Sequence, residues 1–197
     1  MNEHYYTENP LSEERIKYIR LNILGNDLRL KTVSGVFSFG RLDKGTETLL
    51  KYCKVEEGDK LLDLGTGYGV VGISLAKAYP KNEVWMSDIN KRAIKFAREN
   101  IKLNGVTNTR VKSGNMFEKL PGDFDKILIN PPLVAGKKVC EAMIEGSYEK
   151  LKKGGLLQVV ARKNKGGFYL SKKMEETFGN ISVFGRKGGF WVYGSEK

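Results

Sequence analysis

KLLDLGTGYGVVGISLAKAY runs from Lys60 to Tyr79 and sets the reading of the whole chain. Lys60–Leu64 is apolar enough for a buried strand, Gly65, Gly67 and Gly69 make a turn, and Val70–Tyr79 reads as a helix that Pro80 stops. Downstream the alternation repeats. Glu83–Asp88 (EVWMSD) is a second strand, and Asn90 caps a helix with Ala93, Ala97 and Ile101 on one face and Gly105 at its end. Thr109–Ser113 is a third strand and Asp125–Asn130 (DKILIN) a fourth. Val139, Cys140, Met143, Ile144, Tyr148 and Leu151 mark a helix ending at Gly154-Gly155, ahead of a fifth strand, Leu156–Ala161. Leu170, Met174 and Phe178 mark a last helix. Ile181–Phe184 and Phe190–Tyr193, separated by GRKGG, predict a closing hairpin. Repeated βα units predict an α/β, Rossmann-like doubly wound fold, its sheet mostly parallel with one antiparallel strand near an edge. Residues 1–59 hold a strand-like piece, Thr32–Phe39, and a helix, Thr46–Tyr52, too little for a core of their own. One domain over 1–197 is expected, with 1–59 an N-terminal extension packed on the core of 60–197.

The 197 residues suffice for one well-buried α/β domain. Lys and Arg number 34 against 23 acids, a formal charge of +11, which favours a polyanionic partner through counterion release. No apolar run approaches the roughly 20 residues of a membrane-spanning helix. The polar, aromatic opening MNEHYYTENP is no secretory signal, so a cytoplasmic protein is expected. Cys53 and Cys140 have no metal-ligand spacing and His4 is the only histidine, which argues against a disulfide scaffold, a metal site and a His-based triad.

Asp63-Leu64-Gly65-Thr66-Gly67-Tyr68-Gly69 lies where the first strand turns into a helix. Glycines there permit positive φ and allow a ligand to lie against main-chain N–H groups. Gly67, Gly69 and Gly72 also satisfy the dinucleotide pattern G-x-G-x-x-G. Against that reading, the strand ends at Leu64, making Gly65 the first loop glycine, and Asp63 sets a carboxylate beside the turn. A pyrophosphate would be repelled there and a methionine ammonium attracted. Asp88, closing the second strand, is placed to accept from both hydroxyls of a ribose. Adenosylmethionine and NAD both carry such a ribose, so Asp88 does not separate them.

Asn130-Pro131-Pro132-Leu133 follows the fourth strand, at the edge where α/β sheets bind ligands. The prolines remove two N–H donors and stiffen the chain. The Asn130 amide oxygen and the Pro131 carbonyl form a pair of acceptors suited to a planar NH2 group. Such a nitrogen has a delocalised lone pair; two hydrogen bonds can favour a pyramidal nitrogen with its lone pair aimed at a sulfonium methyl. The rest is proximity and alignment. No metal or protein nucleophile is needed, and a dehydrogenase would require a substrate domain for which no residues remain.

These motifs resemble, in this order, those of the class I S-adenosylmethionine-dependent methyltransferases. That resemblance covers about residues 30–195 and implies a seven-stranded sheet with its seventh strand antiparallel. A closer likeness is to small stand-alone relatives of the 16S ribosomal RNA guanine-N2 methyltransferases. It rests on Val36-Phe37-Ser38, Leu42-Asp43-Lys44-Gly45-Thr46, Asn130-Pro131-Pro132-Leu133 with Ala135-Gly136-Lys137, and the opening His4-Tyr5-Tyr6. It implies that Asp43, Gly45 and Thr46 border the methionine end of the cofactor; the alternative is a helix start with Thr46 as its cap. Ser113-Gly114-Asn115-Met116 stands where the family often has an acid for the adenine amine, a role open to the Asn115 amide oxygen. Leu133 replaces an aromatic that stacks on the target base, with Phe37 or Phe39 as substitutes. Basic pairs at Lys137-Lys138, Lys152-Lys153, Arg162-Lys163, Lys172-Lys173 and Arg186-Lys187 are candidate phosphate contacts, and Arg162, Lys163 and Lys165, after the fifth strand, are preferred. Guanine-N2 methylation of ribosomal RNA is the expectation. A protein glutamine-N5 methyltransferase and a cofactor-binding RNA module without turnover are the competing readings.

Overall fold

The computed structural model describes residues 7–197; the His4-Tyr5-Tyr6 opening lies outside them. Strands β3 (Lys60–Leu64), β4 (Glu83–Asp88), β5 (Thr109–Ser113), β6 (Phe124–Ile129), β7 (Leu151–Arg162), β8 (Ser182–Lys187) and β9 (Phe190–Glu196) form one seven-stranded sheet in the order β5-β4-β3-β6-β7-β9-β8. Neighbours from β5 to β7 are parallel, whereas β9 runs antiparallel to both β7 and β8. The mostly parallel sheet and its single reversed strand agree with the sequence. Parallel strands buried on both faces need continuous apolar runs, and Leu61, Leu62, Ile127, Leu128 and Leu157 are fully buried.

Helices α1 (Lys44–Tyr52), α2 (Val70–Ala78) and α3 (Lys91–Leu103) share one apolar cluster, and α4 (Lys137–Lys150) and α5 (Gly167–Phe178) share the other. Asn90 caps α3, its side chain accepting from Ala93 N–H at 3.1 Å. The helix α2 lies tight on the sheet: a Cβ at Gly72 would fall 2.6 Å from Met86 Cγ.

Several boundaries differ from expectation. The strand-like stretch Thr32–Phe39 is the end of one strand plus a turn. A hairpin, β1 (Ile16–Ile23) with β2 (Asn26–Val33), precedes it, and positive φ at Gly35, Ser38 and Gly40 breaks the extended path beyond Val33. The α1 helix begins at Lys44, capped by Asp43 and not by Thr46: the Asp43 carboxylate accepts Thr46 N–H at 2.9 Å. Gly154-Gly155 does not stop α4. Leu151 already pairs with Phe124, and the glycines lie inside β7, where Gly154 N–H reaches Lys197 O at 2.7 Å.

A polar seam on the buried side of α3 ties the N-terminal residues to the sheet. Asn100 accepts Lys31 N–H at 2.7 Å and donates to Lys31 O at 2.9 Å and Tyr68 O at 2.8 Å. Asn90 donates to Gly35 O at 2.9 Å. The Arg92 guanidinium, 7% exposed, makes four bonds, to Ser12 Oγ, Ser34 O, Pro10 O and Ser12 O. Such charge-assisted bonds, once buried, are costly to leave half-made. Arg92→Leu is therefore expected to cost about 3 kcal/mol in urea unfolding. It should also speed tryptic cleavage after Arg15 and Lys17, by loosening the segment that Arg92 clasps.

Candidate functional site

The C-terminal ends of β3, β4, β5 and β6 open onto one cleft of about 330 Å3. Its lining includes the glycine turn, Asp63, Asp88, Asn115, Met116, Asn130, Pro131 and Pro132, and on the N-terminal side Phe37 and Thr46. The structure thus brings together most of the sequence-predicted residues. Asp43 stands behind Thr46, outside the lining. Gly69 is also outside: a Cβ there would meet Ile73 Cδ1 and Met86 Cε, each at 2.9 Å, so its role is helix–sheet packing. Leu133, Lys137, Arg162, Lys163 and Lys165 lie on the rim or beyond it. Apolar walls that the sequence did not single out come from Val36, Ile89, Val139 and Met143.

Gly65, Gly67 and Gly69 take φ of 77°, 57° and 97°, as the turn requires. The loop's N–H groups, however, do not wait for a ligand. Gly65 and Thr66 both donate to Ser87 O, at 2.9 and 3.0 Å, and Gly67 donates to Asp88 Oδ2 at 2.8 Å. Gly69 donates to Thr66 O, and Gly72 to Asp63 Oδ2 at 2.9 Å. An anion cradle needs unspent donors. Five of these donors are spent, two of them on carboxylates, which weighs against the dinucleotide reading.

What the cleft offers is negative charge in an apolar frame. Burial pushes the Asp63 carboxyl up to about 6, opposed by its bonds to Thr66 Oγ and Gly72 N–H, with the Asp88 charge adding to the rise. Burial raises Asp88 as well, against N–H bonds from Asn90, Gly67 and Ile89. Asp88 Oδ1 accepts Asn90 N–H at 2.9 Å and Oδ2 accepts Gly67 N–H at 2.8 Å, and a carboxylate with about four lone-pair sites keeps capacity for a hydroxyl donor. Among the described residues no cluster of three His, Cys, Asp or Glu side chains that could hold a metal ion is found.

Asn130 is held from behind. Its Nδ2 donates to Asp43 Oδ2 at 3.1 Å and to Thr46 Oγ1 at 2.9 Å. A carboxylate can only accept, so the amide nitrogen must face α1 and Oδ1 must point away from it. Asp43 does this while capping α1. The Pro131 carbonyl, expected as the second acceptor, already receives Leu133 N–H at 2.9 Å, and Pro132 O receives Ala135 N–H at 2.8 Å within a single 3-10 turn. One lone pair remains on Pro131 O.

On the rim, Leu133 packs on the turn after β7; a Cβ at Gly166 would lie 2.9 Å from Leu133 Cδ2. The Arg162 guanidinium sits 4.8 Å from the centre of Phe190, Lys163 Nζ 4.5 Å from that of Trp191, and Lys137 Nζ 4.7 Å from that of Tyr169. Lys152, Lys172, Lys173 and Lys187 are instead bound to Asp125, Glu176, Glu145 and Glu47. Among the described residues no helix is long and apolar enough to cross a membrane.

Comparison with known proteins agrees with this site. Residues 27–194 match the family model of the methyltransferase small domain. The chain is 35% identical over its whole length to the uncharacterized protein YbxB of Bacillus subtilis, which it covers fully. It is 42% identical to ribosomal RNA small subunit methyltransferase C of Hahella chejuensis over 69% of this chain and 41% of that one. For the protein of the same name from Citrobacter koseri the identity is 35%, over 85% and 49%. The chain thus spans about half the length of these ribosomal RNA enzymes. A T. thermophilus 16S rRNA N2 methyltransferase, solved with AdoMet and guanosine, superposes with a TM-score of 0.84 over 95% of this chain and 52% of that one, at 24% identity, which shows the shared fold. The chain belongs to the methyltransferase small domain family, and the S-adenosylmethionine-dependent class expected from its motifs is the class to which it is assigned.

Proposed function

We propose that the chain methylates the exocyclic N2 amine of a guanine in ribosomal RNA, in the cytoplasm, with S-adenosylmethionine as methyl donor. The observation that carries this reading is the orientation of Asn130, fixed by Asp43 and Thr46 so that an amide oxygen is left for an NH2 donor at the cleft. The names of the half-matching relatives supply the substrate, an RNA guanine.

The residues fit the cofactor. Asp63, buried and raised in its carboxyl, is stabilised as an anion by a cationic ammonium, and Asp88 accepts from ribose hydroxyls. Asn115 and Met116 border the adenine, with Gly65 and Gly67 along the chain between. When bound, S-adenosylmethionine supplies a methyl group on positively charged sulfur, and the sulfur leaves as a neutral thioether. Asn130 Oδ1 and the free lone pair of Pro131 O would accept from the target amine and turn its nitrogen lone pair toward the methyl, and the proton shed by the alkylated nitrogen would pass to water. Asp43 and Thr46 act through Asn130, as positioning residues. The proline pair holds the acceptors still, and proximity does the rest. Phe37, 38% exposed at the cleft, covers the target base, and Arg162, Lys163 and Lys165 meet RNA phosphates.

The sequence expectation that Asp43 and Thr46 border the cofactor and the positioning role given to them here differ in a measurable way. Asn130→Ala is expected to lower kcat about 100-fold or more while S-adenosylhomocysteine affinity stays within about threefold. Asp43→Ala should lower kcat about 10-fold alone and add nothing in the Asn130→Ala background, the signature of two residues acting as a unit. A loss of S-adenosylhomocysteine affinity in Asp43→Ala would return that residue to the cofactor.

Asp63 sets a pH dependence. Its folded value, about 6, lies above the ordinary 3.8, so its contribution to the stability of the free protein is complete below about pH 4 and is lost as pH rises through 6. The loss approaches about 3 kcal/mol for the free protein. Cofactor affinity runs the other way and should tighten between about pH 5 and 7 as the carboxyl ionises. Asp63→Asn should flatten both profiles, as read by thermal melts and calorimetry with S-adenosylhomocysteine.

Substrate class is decided by labelling. With tritiated S-adenosylmethionine and deproteinised ribosomal RNA, nucleoside analysis should place the label on N2-methylguanosine. Label on a protein glutamine, with RNA unlabelled, would overturn the RNA reading.

A further inference from the structure

Phe168 is 63% exposed, on the first turn of α5, and covers no core. Its position is fixed all the same. Phe168 N–H bonds to Lys163 O at 3.2 Å, Lys165 N–H to Arg162 O at 3.1 Å, and Lys163 N–H to Gly189 O at 3.1 Å, which ties the turn after β7 to the β8–β9 turn. Leu133, next after the cleft-lining Pro132, packs against Gly166 of the same turn. The exposed ring therefore lies next along the rim from the residues that close the cleft.

One cation lies on it, and others stand along the same rim. Lys163 Nζ lies 5.3 Å from the Phe168 centroid and 4.5 Å from that of Trp191, and the Arg186 guanidinium lies 5.7 Å from Trp191. Ala161, Trp191 and Arg186 pair across β7, β9 and β8, so Arg186 sits at the ligand edge of the sheet, level with the end of β7. Among the described residues Lys163, Lys165 and Arg186 have no carboxylate partner, whereas neighbouring Lys187 is bound to Glu47 at 2.7 Å. An exposed cation–aromatic contact contributes little by itself. A solvent-facing aromatic ring beside unpaired cations is instead what single-stranded nucleic acid uses: a π-face for a base and positive charge for the backbone. The target base must leave its stack to reach the cleft, so the strand beside it is unpaired at the same moment.

Resting on the RNA reading above, we propose that this rim is a second nucleotide site: the nucleotide adjoining the target stacks its base on Phe168, and Lys163, Lys165 and Arg186 hold the phosphates that flank it. Stacking tolerates any base, so the site adds affinity and fixes strand direction without reading sequence.

The test compares a short single-stranded oligoribonucleotide with an abasic strand of equal charge, both titrated in the presence of S-adenosylhomocysteine. Phe168→Ala is expected to weaken the oligoribonucleotide about 10-fold and the abasic strand less than about twofold, and Phe168→Tyr should restore wild-type binding. Arg186→Ala should weaken both strands and reduce the salt slope by about one unit. Unchanged S-adenosylhomocysteine affinity and melting temperature in Phe168→Ala confirm that the fold is intact. Equal losses on the two strands, or none, would overturn the stacking site. If the wild type methylates RNA and Phe168→Ala leaves its KM unchanged, this site alone falls. If the wild type neither binds the strand nor labels RNA, the RNA reading falls with it.

Discussion

The cleft depends on a competition for the N–H groups of one loop. Five loop and helix-start amides, from Gly65 to Gly72, could have faced an anion; instead they are taken by Ser87 O, Thr66 O and the carboxylates of Asp63 and Asp88. The two acids thereby enter a buried frame and keep their negative charge only at a cost, visible in the upward displacement of both. Among the described residues no lysine or arginine lines the wall to offset that charge. A site built this way is unfinished without a ligand that brings its own cation at one end and hydroxyl donors further along. A dinucleotide would bring four phosphate oxygens to the same wall and meet acceptors there.

The Asn130 end of the cleft hangs on a different part of the chain. Asn130 closes β6, but what turns its amide is the first turn of α1, contributed by residues 43–46. That turn is in turn seated on the C-terminal hairpin, since a Cβ on Gly45 would lie 3.0 Å from Phe190 Cε1, and the Arg162 guanidinium lies 4.8 Å from the centre of the same ring. Asp43 therefore does two things with one oxygen. It caps a helix, and it accepts from Asn130 Nδ2. Interactions that share an atom in this way are coupled, and perturbing the hairpin would reach the amide through α1.

Sequence periodicity carried the core well because β3, β4, β6 and β7 are buried on both faces and their apolar runs admit no other reading. Asn90 as a cap was also legible, since capping is local chemistry. The failures are tertiary. Ile19, Leu21 and Ile23 alternate inward in β1 opposite Leu28 and Leu30, but a two-stranded sheet with one wet face gives a weak signal, and Leu24-Gly25 is an uncommon turn. Gly154-Gly155 looked like a helix stop because glycine pairs usually are; here a Cβ at Gly155 would collide with Phe124 O at 2.9 Å, so the pair serves a strand irregularity. Asp63, Gly65, Gly67, Asp88, Asn130, Pro131 and Pro132, which line the cleft, were legible as local motifs. Their hydrogen-bond partners were not, because Asp43 lies 87 residues from Asn130 and no local pattern joins them.

Charge shows the same limit most clearly. A formal +11 is a property of composition, and it says nothing about which cations are free. The fold sorts them. Lys152, Lys172, Lys173 and Lys187 turn to acids on neighbouring elements, Lys31, Lys91 and Lys95 to acids around α3, and Arg92 to buried carbonyls. Surface pairs of this kind contribute little stability, but each neutralises a charge that a polyanion would otherwise meet. Arg162, Lys163 and Arg186 lean on Phe190 and Trp191 instead. An aromatic face holds a cation in place without cancelling its charge, as a carboxylate would. Arg162, Lys163 and Arg186 thus keep their charge at the same sheet edge as Asn130, held there by two rings, Phe190 and Trp191.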